Sequence, residues 1–519
     1  MGEDLYELPD GWLWAFLSEV GELNRGKSKH RPRDDARLYG GKYPFIQTGD
    51  VRNSNSVIKT YTQTYNEFGL AQSKLWDKDT LCITIAANIA ETALLGIPAC
   101  FPDSIVGFIA HNRICSVHYI HYFIKSIKTK LDSYAPATAQ KNINLNILRI
   151  VSVPLPPLPE QYRIVAKIEE LFTELDAGVE LLKKLKAKLK RYRQAVLKAA
   201  VEGNLTKEWR EANQGELEPA SMLLERILKQ RREKWEAEQL AKMKAQGKTP
   251  KDDSWKLKYK EPVAPNTSDL SELPDGWCWG TFDQASERVT VGHVGSMKNE
   301  YIESGVPFLR SQNVRENRYD PEGLKFISPE FDKKLMKSSL QPGDLVVVRS
   351  GSVGVCCVIP ETLKKANCSD LVIVKQPKVI DPYFGAFYMN SIARSRVNAQ
   401  QVGVALIHFN TQSMAAMPVP IPPFIEQLKI VEQVQRLLSV IDQLEKTIDF
   451  NLKRAEKLRQ SILKQAFEGK LVPQDPNDEP AEKLLERIKA EKAKQTTTKT
   501  KRKTQSKTQS SIQLELPLE

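Results

Sequence analysis

The sequence predicts an α+β protein built twice: two duplicated globular domains held apart by two long helices that form an antiparallel coiled coil. Three observations predict it. Motifs of the first half of this 519-residue chain return in the second half at an offset of 261 to 266. Each half opens with short β-like runs bounded by Gly, Asp and Asn turns. Each half then enters a long stretch whose apolar residues are spaced 4, 3, 4, 3, the seam of a coiled coil.

The duplication is detailed. Leu8-Pro9-Asp10-Gly11-Trp12 returns as Leu273-Pro274-Asp275-Gly276-Trp277. Pro154, Pro156, Pro157, Glu160, Gln161, Ile164 and Val165 return as Pro420, Pro422, Pro423, Glu426, Gln427, Ile430 and Val431. Gln194, Leu197, Lys198, Glu202 and Gly203 return as Gln460, Leu463, Lys464, Glu468 and Gly469. Glu218-Pro219-Ala220 with Leu223-Leu224-Glu225-Arg226 returns as Glu479-Pro480-Ala481 with Leu484-Leu485-Glu486-Arg487. A solenoid repeats every 20 to 50 residues, so this period marks a duplicated domain. Such a domain usually meets its target twice.

Residues 1–157 form the first globular domain. Its β-like runs are Tyr43-Pro44-Phe45-Ile46-Gln47, Thr80-Leu81-Cys82-Ile83-Thr84-Ile85 and Ile105-Val106-Gly107-Phe108-Ile109, and a helix is predicted over 119–134. Prolines then punctuate 154–159, with Pro159 at a first helical position, where its missing N–H does no harm. The first long helix occupies 158–203. Its seam is Ile164, Ile168, Leu171, Leu175, Gly178, Leu182, Leu185, Leu189, Tyr192, Val196 and Ala199, and Gly203 sits where a C-terminal cap belongs. Residues 204–267 read as a charged helical excursion and linker, and 268–423 as the second globular domain. The second long helix occupies 424–470, with a seam of Ile430, Val434, Leu437, Ile441, Leu444, Ile448, Asn451, Ala455, Leu458, Ile462 and Gln465. Polar Asn451 and Gln465 on that seam would fix register and partner choice. Residues 471–519 read as a helical segment and a disordered basic tail. Its Lys499, Lys501, Arg502, Lys503 and Lys507 are candidates to graze phosphates, and its end, Leu514-Glu515-Leu516-Pro517-Leu518, is an apolar docking candidate.

A net charge of +12 favours a polyanionic partner, nucleic acid before a membrane surface. No run of 18 apolar residues indicates a membrane span, and the acidic Met1-Gly2-Glu3-Asp4 start shows no secretion signal. Seven cysteines without a Cys-x-x-Cys pair fit reduced thiols in a cytoplasm.

Several motifs are decoys. Gly21-Glu22-Leu23-Asn24-Arg25-Gly26-Lys27-Ser28 matches a phosphate-loop pattern, but a phosphate loop must open a packed helix. The next residues, Lys29-His30-Arg31-Pro32-Arg33, are too polar for one and are broken by proline. Lys27, Lys29 and Arg31 therefore read better as a basic DNA-facing loop. Asp381-Pro382-Tyr383-Phe384 lacks the second proline of an amino-methyltransferase loop, and Tyr383, Phe384 and Phe387 read as an apolar helix face. Cys115, His118 and His121 are spaced three apart with no second cluster, short of a zinc site. No metal ligand and no catalytic residue is assigned.

The candidate reading residues are the amide- and Arg-rich turns. Gln47, Thr48, Arg52 and Asn53 follow a strand in the first half; Arg310, Ser311, Gln312, Asn313 and Arg315 take the same place in the second. Arg pairs bidentately with guanine, and Gln or Asn with adenine, in the major groove. Ordinary turn chemistry also favours several of these residue types. Arg349 and Ser350, in a Gly-rich stretch after Leu345-Val346-Val347-Val348, read equally as a turn and as a DNA-facing loop.

With these motifs in view, the whole chain resembles a specificity subunit of a type I restriction–modification system. The resemblance rests on the Leu-Pro-x-Gly-Trp openings, on Gln140-Lys141-Asn142-Ile143-Asn144 before Pro156-Pro157-Leu158-Pro159-Glu160-Gln161, and on long helices ending near Glu202-Gly203 and Glu468-Gly469. The second copy departs from it, with His408-Phe409-Asn410 and Ile425 in place of Asn142-Ile143-Asn144 and Pro159. The resemblance implies two target-recognition domains, each reading one half of a split double-stranded DNA target, and paired helices that set the unread spacer. It implies two docked methyltransferase subunits, restriction subunits further out, and a role in host defence through DNA methylation. S-adenosylmethionine, ATP and Mg²⁺ would belong to those partners, with no cofactor in this chain. Glu160, Gln161, Glu426 and Gln427 would serve the helix heads and partner docking. The competing readings are a coiled-coil scaffold binding DNA without sequence preference and a self-contained DNA methyltransferase.

Overall fold

The computed structural model describes residues 6–86, 88–134, 142–250, 252–393, 409–487 and 489–490. The basic tail residues named above and the apolar chain end lie outside them. The chain divides into two compact units, Met1–Leu182 with Asp449–Glu519, and Lys183–Ile448. Each unit thus holds one globular domain, the first half of one long helix and the second half of the other.

In the first unit a five-stranded sheet is ordered Gly21–Arg25, Ile105–Ala110, Leu81–Thr84, Thr92–Leu95, Val57–Ile58. It is antiparallel except for its last pair. Because strand side chains alternate between faces, Leu81 and Ile83 enter one core while Cys82 enters another. That explains the unbroken apolar run: both faces are covered. The second unit repeats the device. Leu345–Val348 is buried throughout, with Leu345 and Val347 in one core and Val346 and Val348 in the other. The helix predicted over 119–134 is two helices, Val117–Ser126 and Lys128–Ser133.

The two long helices are Leu158–Val201 and Phe424–Phe467, 44 residues each. In the first unit Ile164, Ile168, Ile462, Leu463, Ala466 and Phe467 share one core. Arg459 also pairs with Asp176 and covers the Phe172 ring at 4.8 Å. In the second unit Val196, Leu197, Ala200, Ile430 and Val434 share a core. There Arg193 pairs with Asp442 and, at 3.1 Å, with Glu445. In each unit, therefore, the start of one helix meets the end of the other. Only part of the predicted seam is buried. Val434, Ile441 and Ile448, and likewise Ala455 and Ile462, keep a strict heptad of buried residues. Gly178, Leu185, Tyr192, Leu444, Leu458 and Gln465 are exposed, because a single partner helix shields one stripe and leaves the flanking positions in water.

The repeated motifs turn out to be each other's contacts. Pro9 to Trp12 is a tight turn, closed by Trp12 N–H to Pro9 O at 3.2 Å, with Gly11 at φ +75°. That φ is the left-handed conformation glycine adopts freely. The turn rests on Gly469 at the end of the second helix, where a Cβ would lie 2.3 Å from Pro9 Cγ. Ala481 N–H then donates to Gly11 O at 3.0 Å, and Glu479 pairs with Arg487. In the second unit Gly203 meets Pro274 and Trp277, Ala220 N–H donates to Gly276 O at 2.9 Å, and Glu218 pairs with Arg226.

The charged excursion is also integral to its unit. The helix Ala220–Ala245 buries Leu223 and Leu224 in the core, and Trp255 stacks on Trp235 with centroids 6.1 Å apart. Among the described residues, no helix is long and apolar enough to cross a membrane.

Candidate nucleic-acid interface

In the first unit the two predicted clusters spring from one segment. Lys27 N–H donates to Phe101 O (3.1 Å) and Ile46 N–H to Cys100 O (2.8 Å), so the basic loop and the Gln47 turn leave the fold side by side. Lys27 and Lys29 are exposed. Arg31 is exposed as well, and its Nη1 donates to Ser28 O (2.6 Å) and His30 O (2.8 Å). The Gln47 turn is the short helix Thr48–Asn53, headed by Gln47. Gln47 N–H donates to Asp50 Oδ2 at 2.8 Å, and the Gln47 amide reaches Gln63 at 2.5 Å. Arg52 and Asn53 are exposed, with Arg52 3.4 Å from Asn88 Oδ1.

The second unit uses the same device. Arg310 N–H donates to Asn313 Oδ1 at 3.0 Å, as Gln47 does to Asp50. Asn313 is fully buried, and its amide also donates to Asp320 O (2.9 Å) and Glu322 O (3.1 Å). This corrects the expectation that it faces outward: Asn313 shapes the turn, as Asp50 does. Arg310 donates to Gly323 O at 2.7 Å, and Arg315 is held by Asp320 at 3.1 Å. Gln312 is exposed, with only a 3.5 Å contact to Gly323 O, and Ser311 lies half-buried beside it. Arg349 pairs with Asp370 at 3.1 Å, while the neighbouring Ser369 N–H donates to Leu309 O at 3.0 Å. The Arg349-Ser350 turn is thereby brought beside the Arg310 turn, and Ser350 is exposed.

Glu160, Gln161, Glu426 and Gln427 are all buried. Gln161 donates to Ile114 O (2.9 Å) and Pro156 O (3.0 Å) and accepts from Ser116 N–H (2.8 Å). Gln427 repeats this with Val379 O, Pro422 O and Asp381 N–H. Each glutamine therefore clamps a helix head to its domain with both of its amide hydrogens. Glu426 accepts from Trp277 Nε1 (2.8 Å), Thr206 Oγ1 (2.7 Å) and Arg210 (2.7 Å). Glu160 accepts from Trp12 Nε1 at 3.1 Å, and its other oxygen has no hydrogen-bond partner among the described residues. Burial raises the Glu160 pKa above the usual carboxylate value. What the helix heads present to solvent is apolar: Tyr162 and Leu428, one residue past each glutamine, are 55% and 44% exposed. Sequence reasoning had missed both. The signal was available, because both fall off the heptad seam.

A family model, the type I restriction modification DNA specificity domain, matches residues 9–191 and 294–454, once over each copy. The chain belongs to this family. It is 26% identical over 513 residues to the type I restriction enzyme EcoKI specificity subunit of Escherichia coli K12, covering 94% of this chain and 97% of that protein. It is 24% identical to the EcoBI specificity subunit of Escherichia coli, covering 94% of each. Among solved structures, a chain from work on complex assembly and conformational transition of the type I R-M system superposes with a TM-score of 0.64 at 16% identity. That match covers 90% of this chain and all of the other. The HsdS subunit from Thermoanaerobacter tengcongensis gives 0.52 at 16% identity, covering 91% of this chain and all of that one. This specificity chain thus acts in DNA target selection and is not itself the catalyst.

The decoys of this type I specificity chain resolve physically. Gly21–Arg25 is a strand, so the phosphate-loop pattern runs along a sheet edge and opens no packed helix. Asp381 caps the helix Pro382–Tyr388, which buries Phe384 and Phe387, with Tyr383 packed partly buried against the same core. Cys115 and His121 are buried while His118 is exposed, and no described group of three or more His, Cys, Asp and Glu could hold a metal ion.

His121 has neither ring nitrogen hydrogen-bonded among the described residues. Burial, reinforced by Lys125 and His118, holds its pKa well below the ordinary histidine value. Below about pH 6.5 the unfolded chain therefore binds a proton that the folded chain refuses. Stability from this group is present above that pH and lost as pH falls. Thermal unfolding from pH 7 to pH 5 is expected to show a falling Tm, with a shallower fall in His121→Leu. An equal slope in both chains would assign the acid sensitivity elsewhere.

Proposed function

We propose that each unit reads one half of a split double-stranded DNA target, through Lys27, Lys29, Arg31, Gln47, Thr48, Arg52 and Asn53 in the first and Arg310, Ser311, Gln312, Arg315, Arg349 and Ser350 in the second. The observation that carries this reading is the pair of equivalent turns. They share one backbone lock, Gln47 to Asp50 and Arg310 to Asn313, yet present different side chains. A common frame with unlike chemistry is what two reading heads with unlike targets require. The long helices, paired as an antiparallel coiled coil, fix the unread spacer. Two methyltransferase subunits dock at the equivalent apolar heads marked by Tyr162 and Leu428, and restriction subunits join the assembly. Methyl donor, ATP and Mg²⁺ act in those partners, in the cytoplasm, where the seven free thiols of this chain stay reduced.

The test is to co-express the chain with its cognate methyltransferase subunit and map methylated adenines across the host genome. The expected motif has two short specified parts around a fixed gap. Gln312→Ala is expected to relax one position of one part only, by the roughly 1–3 kcal/mol a bidentate base contact discriminates. A single uninterrupted motif, or relaxation in both parts, would overturn the assignment. A scaffold without sequence preference would bind matched and scrambled duplexes alike at every salt concentration.

A further inference from the structure

Between Glu180 and Glu202 the chain carries eight Lys and Arg and no acid. Some of this charge is used inside the protein. Arg193 pairs with Asp442 and Glu445, and Lys198 with Glu202. Lys183, Lys190 and Arg191 are exposed and take part in no ion pair among the described residues.

Helix pairing does not account for these three. The seam residues Leu189 and Val196 are buried, and so are their counterparts Ala455 and Ile462. The charges between them are not kept. At the same offset Lys183 and Lys190 become Asp449 and Glu456, and only Arg191 keeps its sign, as Lys457. The second helix pairs without them.

The three share a direction. Lys183 and Lys190 lie seven residues apart, and Lys190 and Arg191 lie four and three residues before Gln194, so all fall on the Gln194 face of the helix. Gln194 Nε2 lies 3.5 Å from Glu316 Oε2. Glu316 stands at the tip of the hairpin formed by Val314–Arg315 and Arg318–Tyr319, which continues the Arg310 turn. The tip is fixed in place. Asn317 N–H donates to Cys356 O at 3.0 Å, and the Asn390 amide donates to Asn317 Oδ1 at 2.7 Å. Arg315 and Arg318 are exposed on this hairpin. The reading turn of the second unit and the basic helix face are therefore neighbours, with Glu316 between them. Lys183 to Arg191 covers about 12 Å of helix, the rise of about three to four base pairs.

We propose that Lys183, Lys190 and Arg191 bind backbone phosphates of the duplex, in the unread spacer beside the half-site read by the second unit. Phosphates carry no base identity, so the contact adds affinity without altering either half of the target. It has no equivalent in the first unit, where Asp449 and Glu456 hold the matching positions. The proposal rests on the reading that the second unit meets DNA through the Arg310 turn.

The experiment titrates fluorescent matched and scrambled duplexes with the full chain, assembled with its methyltransferase subunit, at several salt concentrations. In the triple variant Lys183→Gln, Lys190→Gln, Arg191→Gln, affinity for the matched duplex is expected to fall roughly tenfold or more. The slope of log affinity against log salt should fall by roughly two to three, at about 0.9 per phosphate. The variant Lys183→Arg, Lys190→Arg, Arg191→Lys should restore both, which separates charge from a folding defect. Uncharged methylphosphonates in the spacer beside the second unit's half-site should weaken the native chain about fivefold and leave the triple variant unchanged. An unchanged slope in the triple variant, or equal methylphosphonate losses in both chains, would overturn the proposal while leaving half-site reading intact. So would lost methyltransferase assembly at a native slope, which would assign the face to an acidic protein surface. A native chain that binds matched and scrambled duplexes alike would overturn the half-site reading, and the proposal with it.

Discussion

Replacing Arg210 by Met is expected to destabilise the second unit by about 3–5 kcal/mol, the loss seen when one partner of a buried ion pair is removed. Glu426 is fully buried, and Arg210 is only 8% exposed. Their 2.7 Å contact supplies the only positive charge bonded to that carboxylate among the described residues. Trp277 and Thr206 still donate to Glu426 in the variant, but neither neutralises it. Met keeps most of the side-chain volume, so the loss isolates charge from packing. Arg210 also donates to Gly203 O at 3.1 Å, so the helix end loosens at the same time. Thermal unfolding should show the transition shifted down by roughly 10 °C, and a shift of a degree or two would refute the argument. The matched control is Glu160→Gln. No cation is bonded to Glu160 among the described residues, since the nearby Arg163 pairs with Asp478, and burial raises the Glu160 pKa, so its ionised form at neutral pH opposes folding. Gln removes that charge and still accepts from Trp12. The variant should therefore unfold at the native temperature or slightly above it.

Lengthening both long helices by one heptad, after Leu182 in one and after Ile448 in the other, is expected to widen the unread spacer by about three base pairs. Seven residues add about 10.5 Å of helix, against about 3.4 Å per base pair of duplex. A whole heptad keeps the buried stripe of Val434, Ile441 and Ile448 in phase with Ala455 and Ile462. Both helices must be extended. In a one-helix insertion the pairing of Arg193 with Asp442 and Glu445 would hold only if that of Arg459 with Asp176 slipped by two turns. Mapping methylated adenines in cells carrying the double insertion should return both original half-sites with a longer gap. An unchanged gap with normal methylation would remove the helices from the role of ruler.

Much of this was legible in the sequence because it is local or periodic. Period seven marks the long helices. Gly203 and Gly469 lie just past helix ends at Val201 and Phe467, and both take the positive φ such ends demand. The turn residues of Leu-Pro-Asp-Gly-Trp specify the turn that forms. The reading loops were legible as positions but not as surfaces. Gln312 stays exposed, while the adjoining Asn313 is turned fully inward by a carbonyl at Asp320 and another at Glu322. Arg31 stays exposed, yet one of its guanidinium nitrogens is held by the Ser28 and His30 carbonyls. Residue type alone does not give that direction, since Asn and Arg serve a turn and a base edge with the same donors.

The sequence by itself determined that the domain is duplicated, that each copy leads into a long helix, and which family the motifs resemble. Tertiary structure decided which copies of the motifs meet. Gly469 closes on Pro9 of the opposite half, and Tyr6 donates to Phe467 O across 461 residues. It also decided that Glu426 acquires Arg210 from 216 residues away, while Glu160, identical in its own motif, does not. The physical reason is that helices and turns are set by neighbours a few residues apart. The environment of a buried charge is set by whichever distant segment the fold brings against it, and at that point the two copies have different chains to bring.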